Sequence, residues 1–261
     1  RRVLLERHRH AGLIDEAAEA LNAIVKHWQA DGIHIWTTEE ATLFLQNSQT
    51  SYTLSSTSTD HATRSFTETT LSAGAASGAL TISVTSATGI ATTYYIGVEL
   101  DDGTLDWTTV NGAPAGTTVT LTAALDSAAS SGNRVLVYQT KLVRPLAVLS
   151  ARLYDFDSAI DTPIDVMDRI EYQEMPNKTN EGSVNGLFYD RRGGANSSGL
   201  VYVWPTPADV SDAIKMTVAR PIEDFSAAAN DPDLPQEWIR TLVWNLADEL
   251  ADEHGTPEPK R

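Results

Sequence analysis

The chain contains no cysteine. That removes disulfides, thiolate nucleophiles and cysteine-based zinc sites together. Basic charge is nearly as scarce in the middle of the sequence. No Lys occurs between Lys26 and Lys141, and Arg64 and Arg134 are the only Lys or Arg in 55–138. Over 261 residues, 19 basic against 35 acidic side chains give a net charge of −16. A surface this acidic argues against adhesion to nucleic-acid phosphate, and for solubility or a basic partner. No apolar run approaches the roughly 18 residues that a membrane span requires. The opening, Arg1-Arg2-Val3-Leu4-Leu5-Glu6-Arg7-His8, lacks the apolar core and cleavage site of a secretory signal. It also begins without Met, so residues upstream are expected.

Catalytic patterns are missing as well. The histidines are His8, His10, His27, His34, His61 and His254, with no HExxH and no paired spacing backed by carboxylates. The adjacent acids Glu39-Glu40 and Asp101-Asp102 cannot face each other across a cleft if they sit on strands, because neighbours there point to opposite faces. Asp101-Asp102-Gly103 reads as a turn. No Gly-x-Ser-x-Gly elbow or phosphate loop is present. Arg191-Arg192-Gly193-Gly194 reads as a flexible loop more readily than as an anion site. We expect no catalytic, metal or cofactor residues, and therefore a non-enzymatic interaction protein.

Two helices frame the sequence. Ile14, Ala17, Ala18, Leu21, Ile24, Val25 and Trp28 recur on one face of a 3.6-residue repeat, predicting a helix over 14–31 with Gly32 as its cap. Arg1–Arg9 is read as the end of an earlier helix. Near the other end, Asp233, Pro235 and Gln236 form an N-terminal signature. Ile239, Leu242, Val243, Leu246 and Leu250 then supply the apolar stripe, and Gly255 ends the helix. Residues 33–52 read as turn then strand.

Between the helices the composition changes. From Thr50 to Thr88, 20 of 39 residues are Ser or Thr. Alternating runs at 80–84, 94–100, 105–110, 117–121 and 134–138 predict about five or six short strands, with Asp102-Gly103 turning a tight hairpin. Such spacing suggests a sandwich or barrel. Strands are also expected at 142–154, 186–190, 200–204 and 213–220, a short helix or turn at 163–172, and a hairpin tip at 191–199. The fold expected is therefore α+β. A helical frame with a small antiparallel sheet (1–54 and 139–261) would carry an inserted all-β domain, sandwich- or barrel-like, at 55–138.

Six tryptophans need partners. Trp28 and Trp204 read as core, and Trp107 as packing inside the β domain. Trp238 and Trp244 lie off the main stripe of the last helix, suggesting a second packed surface against another subunit or partner. The same helix ends in Asp248, Glu249, Asp252 and Glu253, where its macrodipole prefers cations. That local conflict suggests a docking surface for a basic partner.

Several segments resemble one family. Ala20-Leu21-Asn22-Ala23-Ile24-Val25-Lys26-His27-Trp28, followed by Gly32-Ile33-His34-Ile35-Trp36-Thr37, is similar to the opening helix and turn of head-to-tail adaptors of short-tailed bacteriophages (podoviruses). These proteins are also called tail accessory factors or packaged-DNA stabilisation proteins. Arg144-Pro145-Leu146, Asp168-Arg169-Ile170-Glu171-Tyr172, Met175-Pro176-Asn177-Lys178 and Val201-Tyr202-Val203-Trp204-Pro205 resemble further pieces. The best match is Pro235-Gln236-Glu237-Trp238-Ile239 through Trp244-Asn245-Leu246-Ala247. The long Thr-rich insert, and Gly182-Ser183-Val184 without a proline, depart from the pattern.

The resemblance implies a virion protein made in the host bacterial cytoplasm. It would form a ring, of twelve copies by analogy, beneath the portal protein at the head–tail junction. Its partners would be further copies of itself, the portal, and a tail nozzle, needle or tailspike, with DNA passing through unread and no membrane involved. Asp248, Glu249, Asp252 and Glu253 would face the portal. Two other classes remain as alternatives: a peptidoglycan hydrolase, and a glycan- or receptor-binding tail component housed in 55–138.

Overall fold

The computed structural model describes residues 16–28, 31, 38–192, 198–221 and 236–253, with side chains up to Ala251. The Arg1–Arg9 segment, the Gly32 cap, the Asp233–Pro235 signature and Gly255 lie outside the described residues. In chain order the elements are α1 (16–28), β1 (Thr38–Phe44), β2 (Ser51–Leu54), β3 (Ala62–Thr63), β4 (Thr67–Thr70), β5 (Thr81–Ser83) and β6 (Tyr95–Glu99). There follow β7 (Leu105–Thr109), β8 (Thr118–Thr120), β9 (Arg134–Tyr138), β10 (Ala147–Asp155), β11 (Ile160–Met167) and α2 (Arg169–Glu174). The last are β12 (Glu181–Gly182), β13 (Gly186–Asp190), β14 (Gly199–Trp204), β15 (Thr206–Pro207), β16 (Asp212–Ala219) and α3 (Gln236–Glu253). Contacts divide the chain into two units, Arg1–Thr38 with Arg220–Arg261, and Glu39–Ala219.

The expected helical frame with a small sheet is not what forms. The second unit is mostly strand, built on a nearly closed, barrel-like sheet of eight strands in the order β2-β14-β13-β11-β10-β16-β1-β3. Chain length explains the curl. In a flat sheet, β2 and β1 would stand six strand spacings apart, about 29 Å at ~4.8 Å each. The seven residue steps from Phe44 to Ser51 reach only ~25 Å even when fully extended. The sheet must therefore bend until its ends approach. Sequence reading missed this because the short segments 38–44 and 51–54 belong with strands more than a hundred residues away. The sheet is also not purely antiparallel, since β11 and β13 run parallel. Residues 163–167, part of the 163–172 segment read as a short helix or turn, belong to strand β11. Only 169–174 turn helical, where Asp168 and Glu171 form a capping box.

The strands from Thr67 to Tyr138 form a second layer system: a four-stranded sheet, β4-β9-β6-β7, and the pair β5-β8. Alternation along β9 shows how it sits. Val135 and Val137 point into a core shared with Ile82, Val98, Val119 and Leu121. Leu136 and Tyr138 point the other way, into a cluster with Phe44 of β1, Phe156, and Ala213 of β16. All five residues of β9 are consequently buried, as expected of a strand covered on both faces. Trp107 belongs to this second cluster, at the seam with the eight-stranded sheet, and not to the β domain's own interior.

Arg134, at the start of β9, is held by three carboxylates. It donates to Glu68 at 3.1 Å, Glu99 at 3.4 Å and Asp157 at 2.5 Å, and its guanidinium lies over the Phe156 ring. Asp157 belongs to the β10–β11 turn, so this one cation ties the two sheet systems together.

In the first unit, Val25 and Leu242 are buried against each other, with Leu21, Ile24 and Trp28 beside them. Trp28 meets Trp238 edge-on at 5.7 Å. The α3 stripe read from sequence is rotated: Leu242 is buried, whereas Ile239 and Val243 are exposed. Trp238, four residues before Leu242, shares its face.

Phe44 carries the clearest consequence. Its ring touches Phe66, Trp107 and Tyr138 at centroid separations of 5.2–5.9 Å. Phe44→Ala should lower the unfolding free energy by about 3–5 kcal/mol, read from urea denaturation. The exposed Val243→Ala should shift it by no more than about 0.5 kcal/mol. Equal effects would show that the seam is not a core.

Candidate functional site

The residues singled out on the last helix separate into two groups. Trp238 faces inward, against Trp28 of the same chain. Trp244 is 41% exposed. One helical turn apart, Trp244 and Asp248 line a surface groove of about 400 Å³ with Arg240, Thr241 and Asn245. Glu249 is exposed. The side chains of Asp252 and Glu253 lie outside the described residues, although both positions are helical. Together, Ile239, Val243 and Trp244 leave large apolar groups of α3 open.

The middle segments of the family resemblance come together in space. Asp168–Tyr172 forms the start of α2, and Lys178 closes its other end by donating to the carbonyls of Tyr172, Gln173 and Met175. The Trp204 indole donates to the carbonyl of Pro176 at 3.2 Å. Tyr172 packs on Phe188 and Tyr202. These scattered tracts thus make one local structure, with the Lys cation set at the helix C-terminus where the dipole favours it.

Another cleft lies elsewhere, along the seam. A cleft of about 620 Å³ opens between the β1–β2 and β2–β3 connections on one side and β6 and β7 on the other. Trp107 fixes its geometry. The indole lies over Gly97, its register partner across β6–β7, where a β-carbon would come within 2.8 Å of the ring. Only glycine leaves room there. On its other face, the His61 imidazole stacks at 4.0 Å and 7°. His61 Nδ1 is 2.6 Å from the Tyr138 hydroxyl, and Tyr138 in turn stacks on Tyr95 at 5.0 Å.

The charges around the cleft are already answered. Lys141 is buried, donates to the carbonyls of Ser58 and Asp60, and lies over the Tyr95 ring. Burial lowers its pKa, partly offset by Asp60. The Asp60 carboxylate accepts from the Thr53 amide at 2.6 Å and from Gln49 Nε2 at 2.7 Å. Gln46 clamps Leu105 through both its backbone amide and its carbonyl. His61 is pushed down to about 3, by burial first and by Lys141 second, so it is neutral at physiological pH. Burial likewise raises Tyr52 and Tyr138, which keep their protons.

Sequence reading passed over Gln46, Gln49, Asp60, Tyr95 and Lys141, and set His61 aside with the other histidines. None falls in a motif, since they converge only when the sheet curls. Among the described residues no cluster of His, Asp or Glu could hold a metal ion, and no helix is long and apolar enough to cross a membrane. No protein-family model, curated protein or solved structure matches this chain.

The His61 assignment is directly measurable. A histidine with a depressed pKa takes up its proton late, so its contribution to stability is complete above the unfolded value near 6.5. That contribution is lost as pH falls from there toward about 3. Imidazole NMR should show His61 neutral at pH 5. A midpoint near 6.5 for His61 would mean that the stacked ring is open to solvent.

Proposed function

We propose that this chain is a structural subunit of the head-to-tail junction of a short-tailed phage, binding beneath the portal, retaining packaged DNA and lining its exit path. The observation that carries the reading is where the two end segments of the resemblance lie. Ala20–Trp28 and Trp238–Ala247, more than two hundred residues apart, pack on each other through Val25, Leu242, Trp28 and Trp238. The helix pair leaves Ile239, Val243 and Trp244 open. An exposed apolar group of this kind suits a partner subunit. The net charge of −16 also suits a DNA channel, because a wall poor in Lys and Arg gains little from counterion release and lets the duplex slide.

Docking to the portal would use the end of α3, where Asp248, Glu249, Asp252 and Glu253 oppose the helix dipole and a basic portal face would relieve them. Full-length protein mixed with portal rings of the same virion should co-sediment as a ring assembled on the portal. Changing the four acids to amides should weaken binding and flatten its salt dependence, because fewer ion pairs remain to be screened. Removing residues 251–261 should abolish binding while circular dichroism still reports a folded chain. Absence of co-sedimentation at micromolar concentration, together with absence of the chain from purified virions, would refute the proposal.

A further inference from the structure

Charge on the strand-rich unit is sorted toward the two ends of its eight-stranded sheet. We propose that the arginine-bearing end docks, end to end, on the acidic end of a second copy of this chain.

The first end lies where β13 finishes against the segment that leads into β10. Arg191 donates to the Leu146 carbonyl and the Tyr189 hydroxyl to the Pro145 carbonyl, both at 2.7 Å. Burial raises the Tyr189 pKa, and Arg144 and Arg191 partly offset the rise, so both cations stand close to it. Arg169 and Arg192, each more than half exposed, share Asp190 at 2.8 and 3.4 Å. Among the described residues, no other carboxylate is within ion-pair distance of these four arginines. Asp168 and Glu171 of the α2 capping box add negative charge on the side of Arg169, so the surplus lies with Arg144, Arg191 and Arg192.

The second end is the other end of β10. That strand runs from Ala147 to Asp155, whose register partner Asp212 opens β16. Asp155, Asp157, Asp209 and Asp212 gather there, and Asp157 and Asp209 are exposed. Burial first, then Asp209, Asp155 and Asp157, push the Asp212 carboxyl up to about 6. Arg134 opposes that rise, but it is already divided among Glu68, Glu99 and Asp157. Arg152 and Lys215, farther along the same strands, pair with Glu40 and Asp161. Carboxylates remain in excess.

The length of β10 separates the two ends by roughly 27 Å, or roughly three Debye lengths at physiological salt. One molecule therefore cannot answer one patch with the other, whereas a second copy brings them into contact. Apolar groups favour a protein over a phosphate backbone as the occupant. Val143 and Leu149 are exposed at the arginine end, and Ile160, the register partner of Asp155, is exposed at the acidic end. Arginine among apolar groups is the composition of contacts between proteins. Since unlike ends meet, every copy keeps one free end of each kind, and the contact repeats into a ring or a filament. It would supply the contact between copies in the ring proposed above without needing the portal.

The test is sedimentation velocity on the full-length protein, without portal, across a salt series. The net charge of −16 makes copies repel at long range, so association should be weak at about 0.01 M salt, where the Debye length is ~30 Å. It should strengthen at about 0.15 M, with Kd on the order of 10–100 µM, and fall again toward about 1 M as the ends themselves are screened. Arg191→Glu with Arg192→Glu, and separately Asp157→Lys with Asp209→Lys, should each weaken association at least about tenfold at unchanged circular dichroism. Mixing the two variants should restore it, because each supplies the end that the other lacks. The milder Asp157→Asn with Asp209→Asn should weaken it several-fold. No portal is present, so these outcomes are separate from the docking test. A monomer at about 100 µM protein at every salt concentration would overturn the proposal. So would a mixture of folded variants that stays monomeric, or arginine variants that lose duplex-DNA binding but associate as before.

Discussion

A single short strand decides how this molecule is put together. β9 has no solvent face: its odd positions, Val135 and Val137, complete one core, and its even positions, Leu136 and Tyr138, complete another. A strand buried on both sides cannot shift register by one residue without exchanging Arg134, Leu136 and Tyr138 for the two valines. Three carboxylates wait for Arg134 on one side only, so the exchange would leave a buried cation among aliphatic groups. The register of the four-stranded sheet and the attachment of that sheet to its neighbour are therefore fixed by the same five residues.

The aromatic seam follows from that placement. Once Tyr138 is fixed, its hydroxyl meets His61 and its ring meets Phe44 and Tyr95. His61 then covers the face of Trp107 that Gly97 does not. Each ring limits the freedom of the next, and edge-to-face or offset contacts add roughly 0.5–1.5 kcal/mol per pair beyond area burial. His61, Tyr52 and Tyr138 keep their uncharged forms there, because burial disfavours the charged ones. The chemistry of the cleft is thus a by-product of how the two sheet systems are joined.

This pattern also marks what the sequence could disclose. Local signals were legible. The α1 stripe Leu21, Ile24, Val25 and Trp28 packs as its period implies, the Asp102-Gly103 turn joins β6 to β7, and the strands of 186–190, 200–204 and 213–220 lie within two residues of expectation. What was not legible depends on long-range closure. Residues 38–44, 51–54 and 62–63 are too short to announce a barrel, and β1 and β2 join β16 and β14, which lie far along the chain. The Leu242 face of α3 was misjudged because two apolar stripes, through Leu242 and through Ile239 and Val243, run side by side. Only Trp28 shows which one is covered within the chain. The cleft residues carried no signal at all, since Gln, Thr and Tyr on connections look like ordinary surface until the walls meet.

Scarcity of positive charge organises the rest. Among the described residues, Arg134 serves Glu68, Glu99 and Asp157, while Arg152 serves Glu40 and Asp161, which also accepts Lys215. Cations are shared because acids outnumber them, 35 to 19. Most of these pairs are partly exposed and contribute little individually. Their grouping still matters, because it places several of the cations at strand junctions. A molecule so arranged repels phosphate over a Debye length of about 8 Å at physiological salt, while its apolar openings on α3 stay accessible. A net charge of −16 favours the approach of basic partners over that of nucleic-acid phosphate.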